Sequence, residues 1–281
     1  MWVGDILKKT HSMKSDCTFG TIYIWSGVFN TRICNYKGSL IESYDLDRLK
    51  YAFPFTDGNL ENTINFMIIN HEKNCPDAPF TFTGVVDSER ESLEKLFPNR
   101  FEFVPKREMW EYIYSCEELA TLSGKKFHNK RNHVSKFKKL YVFEYEKINR
   151  ENIKDIYVFI EEWFNINGCI ESEKTAIYKC LDHYEELGLL GGVIKVNTKI
   201  IAFTIGEKIN SDTFLIHFEK AFKSYSGAYS IINLEFSKIL YTLGFKYINR
   251  EEDLGIPGLR KAKLSYNPLM LIRKYDAIFK G

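Results

Sequence analysis

Apolar positions along the chain fall into two kinds of run, most clearly in the second half. Leu190–Val196, Ile200–Lys208 and Thr213–Phe218 are rich in β-branched and aromatic residues and predict three strands. Asn197-Thr198-Lys199 and Asn210-Ser211-Asp212 between them are short enough for antiparallel hairpins. Ile153, Ile156, Ile160, Trp163 and Phe164 recur at helical spacing behind Asn149, a candidate cap. Ala176, Ile177, Cys180, Leu181, Tyr184 and Leu187 do the same behind Ser172. Ile232, Phe236, Ile239, Leu240 and Leu243 mark a further helix, entered from Thr213–Phe218 through the small, polar turn Lys223–Ala228. Phe245–Ile248 predicts a short strand, Ile256–Leu264 a short helix with Pro257 in its first turn, and Leu269–Tyr275 a last strand.

The first half is more mixed. Phe19–Phe29 and Thr31–Tyr36 read as a hairpin of aromatic strands. Asp57-Gly58-Asn59 can cap a helix carrying Leu60, Ile64, Met67, Ile68 and His71. Phe80–Val86 predicts a strand, and Ser88-Glu89-Arg90-Glu91 a capping box opening a helix with Leu93, Leu96 and Phe97. Phe101–Val104, Trp110–Ser115 and Val142–Ile148 predict strands, with a short helix at Glu117–Leu122. From Val142 onward the order is β-α-α-β-β-β-α-β-α-β, which is the order of the GNAT acyltransferase fold. In that fold the strand-to-helix turn after the fourth strand seats the acyl carrier's pyrophosphate. The expected class is α+β, with mixed, mostly antiparallel sheets flanked by helices. A boundary near Asn149 gives one domain over 1–148, ending in a basic linker helix at 124–140, and a second over 149–281 with the candidate active cleft.

Composition narrows the function classes. The chain has 281 residues, 44% of them apolar and 27% charged, an ordinary profile for a globular protein. Net charge is only +2, so attraction to a polyanion must come from local clustering. The six cysteines show no metal-ligand spacing, so no metal is expected. No apolar run approaches the roughly 18 residues of a membrane span, and no signal peptide opens the sequence, so a cytoplasmic protein with free thiols is expected.

Several clusters carry candidate chemistry. Strand alternation puts His217 and Glu219 on one face, where Glu219 can act as a general base and His217 is the second candidate. The turn after them, with Lys220, Lys223, Ser226, Gly227, Ala228 and Tyr229, has small side chains and helix-start N–H groups suited to a donor's phosphates. The window Lys125–Lys139 holds seven Lys or Arg and no acid. On a helix, Phe127, Val134 and Phe137 would dock one side and leave the cationic side to RNA or anionic lipid. Asn249–Pro268 sets Glu251, Glu252 and Asp253 beside Arg260, Lys261 and Lys263, an arrangement suited to an amine on one side and phosphate on the other. The plain alternatives are a solvated charged face for the first of these basic runs and a salt-bridged corner for the second.

LSGKKFHNKRNHVSKFK (122–138), HFEKAFKSYSGAY (217–229) and NREEDLGIPGLRKAKLSYNP (249–268) closely resemble the signatures of the DUF2156 family. That family groups with the C-terminal domain of phosphatidylglycerol lysyltransferase, and the resemblance spans most of the chain. It implies two tandem GNAT-like domains and an acyl or aminoacyl transferase. The donor would be aminoacyl-tRNA, lysyl-tRNA included, or acyl-CoA, with no tightly bound cofactor. Lys125, Lys126, Lys130, Arg131, Arg260 and Lys263 would hold phosphates of tRNA or lipid. Asn233, Asn249, Glu251 and Asp253 would hold the acceptor or an amine. Arg131-Asn132 looks like a pair in the lysyltransferase's linker helix. Glu111 stands where the family more often has Asp before Tyr. The flippase region of full lysyltransferases has no counterpart here, so the acceptor need not be a lipid. Two other functions fit the same fold: a CoA-dependent N-acetyltransferase of a small molecule, and a non-catalytic RNA- or anionic-lipid-binding protein.

Overall fold

The computed structural model describes residues 2–45 and 48–281. Its strands form two sheets. In chain order they are β1 (Arg32–Tyr36), β2 (Ser39–Asp45), β3 (Leu49–Tyr51), β4 (Thr81–Val86), β5 (Phe101–Pro105), β6 (Glu111–Ser115) and β7 (Phe143–Lys147). They continue with β8 (Leu190–Val196), β9 (Lys199–Lys208), β10 (Thr213–Ala221), β11 (Tyr247–Asn249), β12 (Met270–Ile272) and β13 (Lys274–Phe279). The first sheet runs β1-β2-β3-β4-β13-β5 and the second β12-β6-β11-β10-β9-β8-β7. The α-helices are α1 (Trp2–Leu7), α2 (Phe19–Trp25), α3 (Leu60–Asn74), α4 (Asp87–Leu96), α5 (Cys116–Thr121), α6 (His128–Leu140), α7 (Ile153–Asn167), α8 (Glu171–Asp182), α9 (Ala228–Thr242) and α10 (Pro257–Leu264).

From β7 to β12 the elements follow the expected β-α-α-β-β-β-α-β-α-β order. The sheets nevertheless exchange strands across residue 148. β6 and β7 lie in the second sheet, and β13, from the end of the chain, lies inside the first. The run read as one last strand breaks at Arg273. Its first part pairs with β6, and its second part pairs with β4 and β5.

The expected hairpin at 19–36 is only half present. Arg32–Tyr36 pairs with β2, but Phe19–Trp25 is helical. The Thr18 hydroxyl accepts from the Thr21 N–H at 3.1 Å and starts that helix. Ile22 and Ile24 are buried on it, so capping and tertiary packing override the β-propensity of FGTIYIW. Two caps also move. Asp87 opens α4, where the Glu89 carboxylate accepts the Val86 N–H at 3.0 Å, and Ser172 falls inside α8 rather than before it. Asn59 caps α3 as read, accepting from the Asn62 N–H at 2.9 Å.

Each sheet has its own core. Ile64, Met67 and Ile68 of α3 pack with Phe80, Phe82, Val85 and Leu93 around the first. The larger second core joins Phe203, Phe214, Ile231, Ile232 and Leu240 with Phe127 and Phe137. α9 crosses β8, β9 and β10, and α5 and α6 pack on α9. That stacking carries α6 to the turn at the start of α9.

Candidate functional site

β10 and β11 run parallel but pair only over Thr213–Leu215 and Tyr247–Asn249. Beyond Leu215, β10 continues to Ala221 bonded to β9 alone. The two strands therefore part, and polar side chains fill the wedge between them. Glu219 of β10 accepts from Arg250 at 2.7 Å, and its other oxygen lies 3.4 Å from Asn233 Nδ2 of α9. The Arg250 guanidinium lies 4.9 Å from the Tyr266 ring centroid and 5.6 Å from that of Tyr114. Lys130 of α6 stands 3.5 Å from the same Tyr266 centroid and donates to Ser265 Oγ at 2.6 Å. Two buried atoms here have no partner, Arg250 Nη1 and Asn233 Oδ1. One is a donor and the other an acceptor. A buried polar atom without a partner costs free energy and marks a place where a ligand or water belongs.

His217 takes a different role from the expected second base. The register shifts between Ile216 and Phe218, a bulge at His217 that breaks strand alternation before Glu219. His217 lies between Glu207 (Nε2, 2.9 Å) and Glu251 (Nδ1, 3.4 Å). Burial pulls its pKa down, but the hydrogen bonds to Glu207 and Glu251 outweigh burial and raise it to about 9. That shift favours the imidazolium at neutral pH, a form that pairs with both carboxylates and has no lone pair for a proton. The raised value also fixes the sign of its stability effect. The ion pairs contribute fully below the unfolded value of about 6.5 and are lost as pH rises through about 9. Urea unfolding should therefore show His217→Gln clearly weaker than wild type at pH 6, with the gap closing above pH 9.5. A gap independent of pH would remove the imidazolium.

The turn at 223–229 is a packing seat. Gly227 has φ +93°, and a Cβ there would lie 2.5 Å from the His133 carbonyl oxygen and 3.0 Å from Phe137 Cβ, both on α6. The Ala228 N–H donates to the Tyr225 carbonyl at 3.0 Å and is not open to a ligand. Lys220 pairs with Glu173 at 2.7 Å and lies 4.3 Å from the Trp163 ring centroid. Lys223 is exposed, while Ser226 and Tyr229 are half-buried. Gly227→Ala should cost about 1–3 kcal/mol from strain and the α6 clash, measured as a lowered urea midpoint. An unchanged midpoint would mean that α6 is not seated on Gly227.

Most of the expected cationic and acidic ligands are tied up inside the protein. Arg131 donates to the Leu122 and Gly124 carbonyls. Lys126 pairs with Glu118, and Arg260 forms a two-pronged pair with Asp253 at 2.8 and 2.9 Å. Lys263 is buried and donates to the Arg250 and Glu252 carbonyls. Asp253 also accepts from Arg107 and Tyr112. Burial would raise its carboxyl, but those bonds and Arg260 hold it well below the usual range. Asn249 donates to the Met13 carbonyl at 2.8 Å and to Glu111 at 2.5 Å. Glu251 receives the His217 contact, Asn233 stays at the wedge, and Lys125 is exposed. So Arg260, Lys263, Asn249 and Asp253 are each held by partners inside the fold, and Arg131 is held through Nη1.

Arg250 and Lys274 escape the sequence reading, and Glu111 is noted there only as a departure from the family's Asp. Arg250 follows β11 directly and pairs with Glu219. Glu111 is wholly buried and accepts from Ser15 and Asn249, with Lys274 beside it. Lys274, on β13, also bonds Asp16 at 2.9 Å. A usable signal lies on α9, where Ser230, Asn233 and Ser237 recur at i, i+3 and i+7 among apolar residues and are all buried. Two concavities elsewhere, of about 300 Å³ beside Tyr241 and Tyr247 and about 500 Å³ beside Tyr36 and Phe66, do not touch the wedge. Among the described residues no group of acids, His and Cys is arranged for a metal ion, and no helix is long and apolar enough to cross a membrane.

Comparisons with known proteins agree with this architecture. A conserved protein of unknown function from Bacteroides thetaiotaomicron is 38% identical, with TM-score 0.93 over 99% of this chain and 95% of that one. The structure of L-PGS from Bacillus licheniformis is 18% identical, with TM-score 0.63 over 89% and 84% of the two chains. An uncharacterised protein of Mycoplasmoides gallisepticum is 27% identical over 173 residues, 58% of this chain and 54% of that protein, so the match spans about half of the relative. The two-sheet α+β architecture is the tandem GNAT-like fold. The family model described as phosphatidylglycerol lysyltransferase, C-terminal, matches residues 8–278, and the chain belongs to that family.

Proposed function

We propose that this protein is an aminoacyltransferase that moves an aminoacyl group from charged tRNA to a hydroxyl or amine acceptor such as a phospholipid headgroup. The observation that carries this reading is the wedge between β10 and β11, where Glu219 meets an unpaired acceptor on Asn233 and an unpaired donor on Arg250. A carboxylate and an amide oxygen side by side suit a substrate ammonium or an attacking O–H or N–H. In the reaction the acceptor's oxygen or nitrogen attacks the ester carbonyl carbon. Glu219 takes the acceptor's proton, and collapse of the tetrahedral intermediate breaks the bond to the tRNA oxygen. That oxygen leaves with the proton returned by Glu219. The exposed lysines on α6 and in the turn before it, Lys136, Lys139 and Lys125, would follow the tRNA backbone and make binding salt-dependent.

Acyl-CoA is the weaker donor reading. The glycine at the expected pyrophosphate turn faces α6, and the Ala228 N–H is already bonded. The test supplies radiolabelled lysyl-tRNA or acetyl-CoA with phosphatidylglycerol vesicles and follows label into lipid. Label from lysyl-tRNA is expected. Transfer from acetyl-CoA alone would replace the donor, and tRNA binding without transfer from any charged tRNA would leave a binding protein on a transferase fold.

A further inference from the structure

We propose that Arg250 and Lys130, packed on Tyr266, form a binding site for a single phosphate group at the open end of the wedge. This deepens the transferase reading, because the site lies beside Glu219, but it is tested without any donor.

The argument starts from charge. Arg250 and Lys130 share one tyrosine ring, with the guanidinium carbon 4.9 Å and the ammonium 3.5 Å from its centroid. Like charges on one ring repel, and a protein keeps such a pair where an anion offsets it. Among the described residues one carboxylate, Glu219, serves the pair, and of the two cations it hydrogen-bonds Arg250 only. The polar partner of Lys130 is the neutral hydroxyl of Ser265, 2.6 Å away. One positive charge is therefore left over. The Arg250 side chain is 12% exposed, yet its Nη1 is buried and has no hydrogen-bond partner. An unpaired guanidinium N–H beside an ammonium is the donor set that a phosphate oxygen fills. The other candidate phosphate ligands differ: Arg260 already spends Nε and Nη2 on Asp253, Lys263 donates to two carbonyls, and Arg131 holds two carbonyls through Nη1.

Titration supports the same geometry. Burial, and then Arg250, pull the Lys130 pKa down to about 8, with Glu219 opposing. The groups facing Lys130 are Arg250 from the segment after β11, Glu219 from β10, and Ser265 and Tyr266 just beyond α10. A bound phosphate would favour the charged ammonium, so affinity falls as pH rises past about 8.

Isothermal titration calorimetry of the whole protein with glycerophosphoglycerol, and separately with inorganic phosphate, tests the site. At pH 7 at least one probe should bind, and Lys130→Gln should weaken it about tenfold. Wild-type binding should also weaken by pH 9.5, whereas Lys130→Arg, which keeps its charge there, should still bind. A headgroup site takes glycerophosphoglycerol more tightly, and a general phosphate site takes both alike. Absence of binding by either probe, or equal affinity in Lys130→Gln and wild type, would overturn the proposal. Either result leaves the role of Glu219 in transfer to be judged by the turnover of its own variant.

Discussion

Glu219→Gln will lower the transfer rate by about 10²–10⁴-fold, the range lost when a positioned proton acceptor is removed, while the protein stays folded. Glutamine keeps one oxygen that can accept from Arg250, now 2.7 Å from the carboxylate, so the wedge retains much of its shape. It lacks the second, basic oxygen that faces Asn233. The rate is measured with lysyl-tRNA and vesicles, and folding by urea unfolding in the same buffer. A rate that falls only in step with a collapsed unfolding midpoint would make Glu219 a brace for Arg250. An undiminished rate would move the base elsewhere.

The second large effect concerns stability. Lys274→Met should cost about 3–5 kcal/mol, because removing one partner of a buried ion pair strands the others. Lys274 is 3% exposed and touches both Asp16 and the wholly buried Glu111. Burial alone would lower its pKa, but Asp16, Glu111 and Glu252 outweigh burial and hold it well above the ordinary lysine value. Without the ammonium, Asp16 from a 3-10 turn, Glu111 from β6 and Glu252 from the loop after β11 are left with their charges uncompensated. Adding Glu111→Gln to Lys274→Met should restore part of the loss, a coupling read from a double-mutant cycle. A single-variant loss below about 1 kcal/mol would place the cluster among weak surface pairs.

How much of this was legible depended on whether the deciding contact is local. α6 was legible because Phe127, Val134 and Phe137 lie on one side of a helix, and all three are buried. The β-α-α-β-β-β-α-β-α-β order was legible for the same reason, since each element carries its own period. The bulge at His217 was not, because strand alternation holds only while register holds, and one extra residue leaves no mark in composition. Gly227 was noticed for its small size, which states that something comes close but not what. The neighbour is α6, from about ninety residues upstream. Lysines and arginines were counted as free charges, yet Arg260 and Lys263 find partners 7 to 13 residues back along the chain while Arg250 reaches 31 residues back to β10. The role of Glu111 was not legible because its partners, Ser15, Asn249 and Lys274, come from three separate parts of the chain.

The placement of β13 bears on the order in which the molecule can be made. Lys274–Phe279 sits between β4 and β5, so those two strands have no direct ladder to each other. A chain emerging from the ribosome therefore exposes both of those strand edges for the whole time that the second sheet is being synthesised. The first unit cannot close ahead of the second, as an amino-terminal domain ordinarily does during synthesis. The contacts that complete it span nearly two hundred residues of sequence, which favours slow, late closure. Maturation of the first sheet thus waits on Lys274–Phe279, the strand that enters it only after the second sheet has been made.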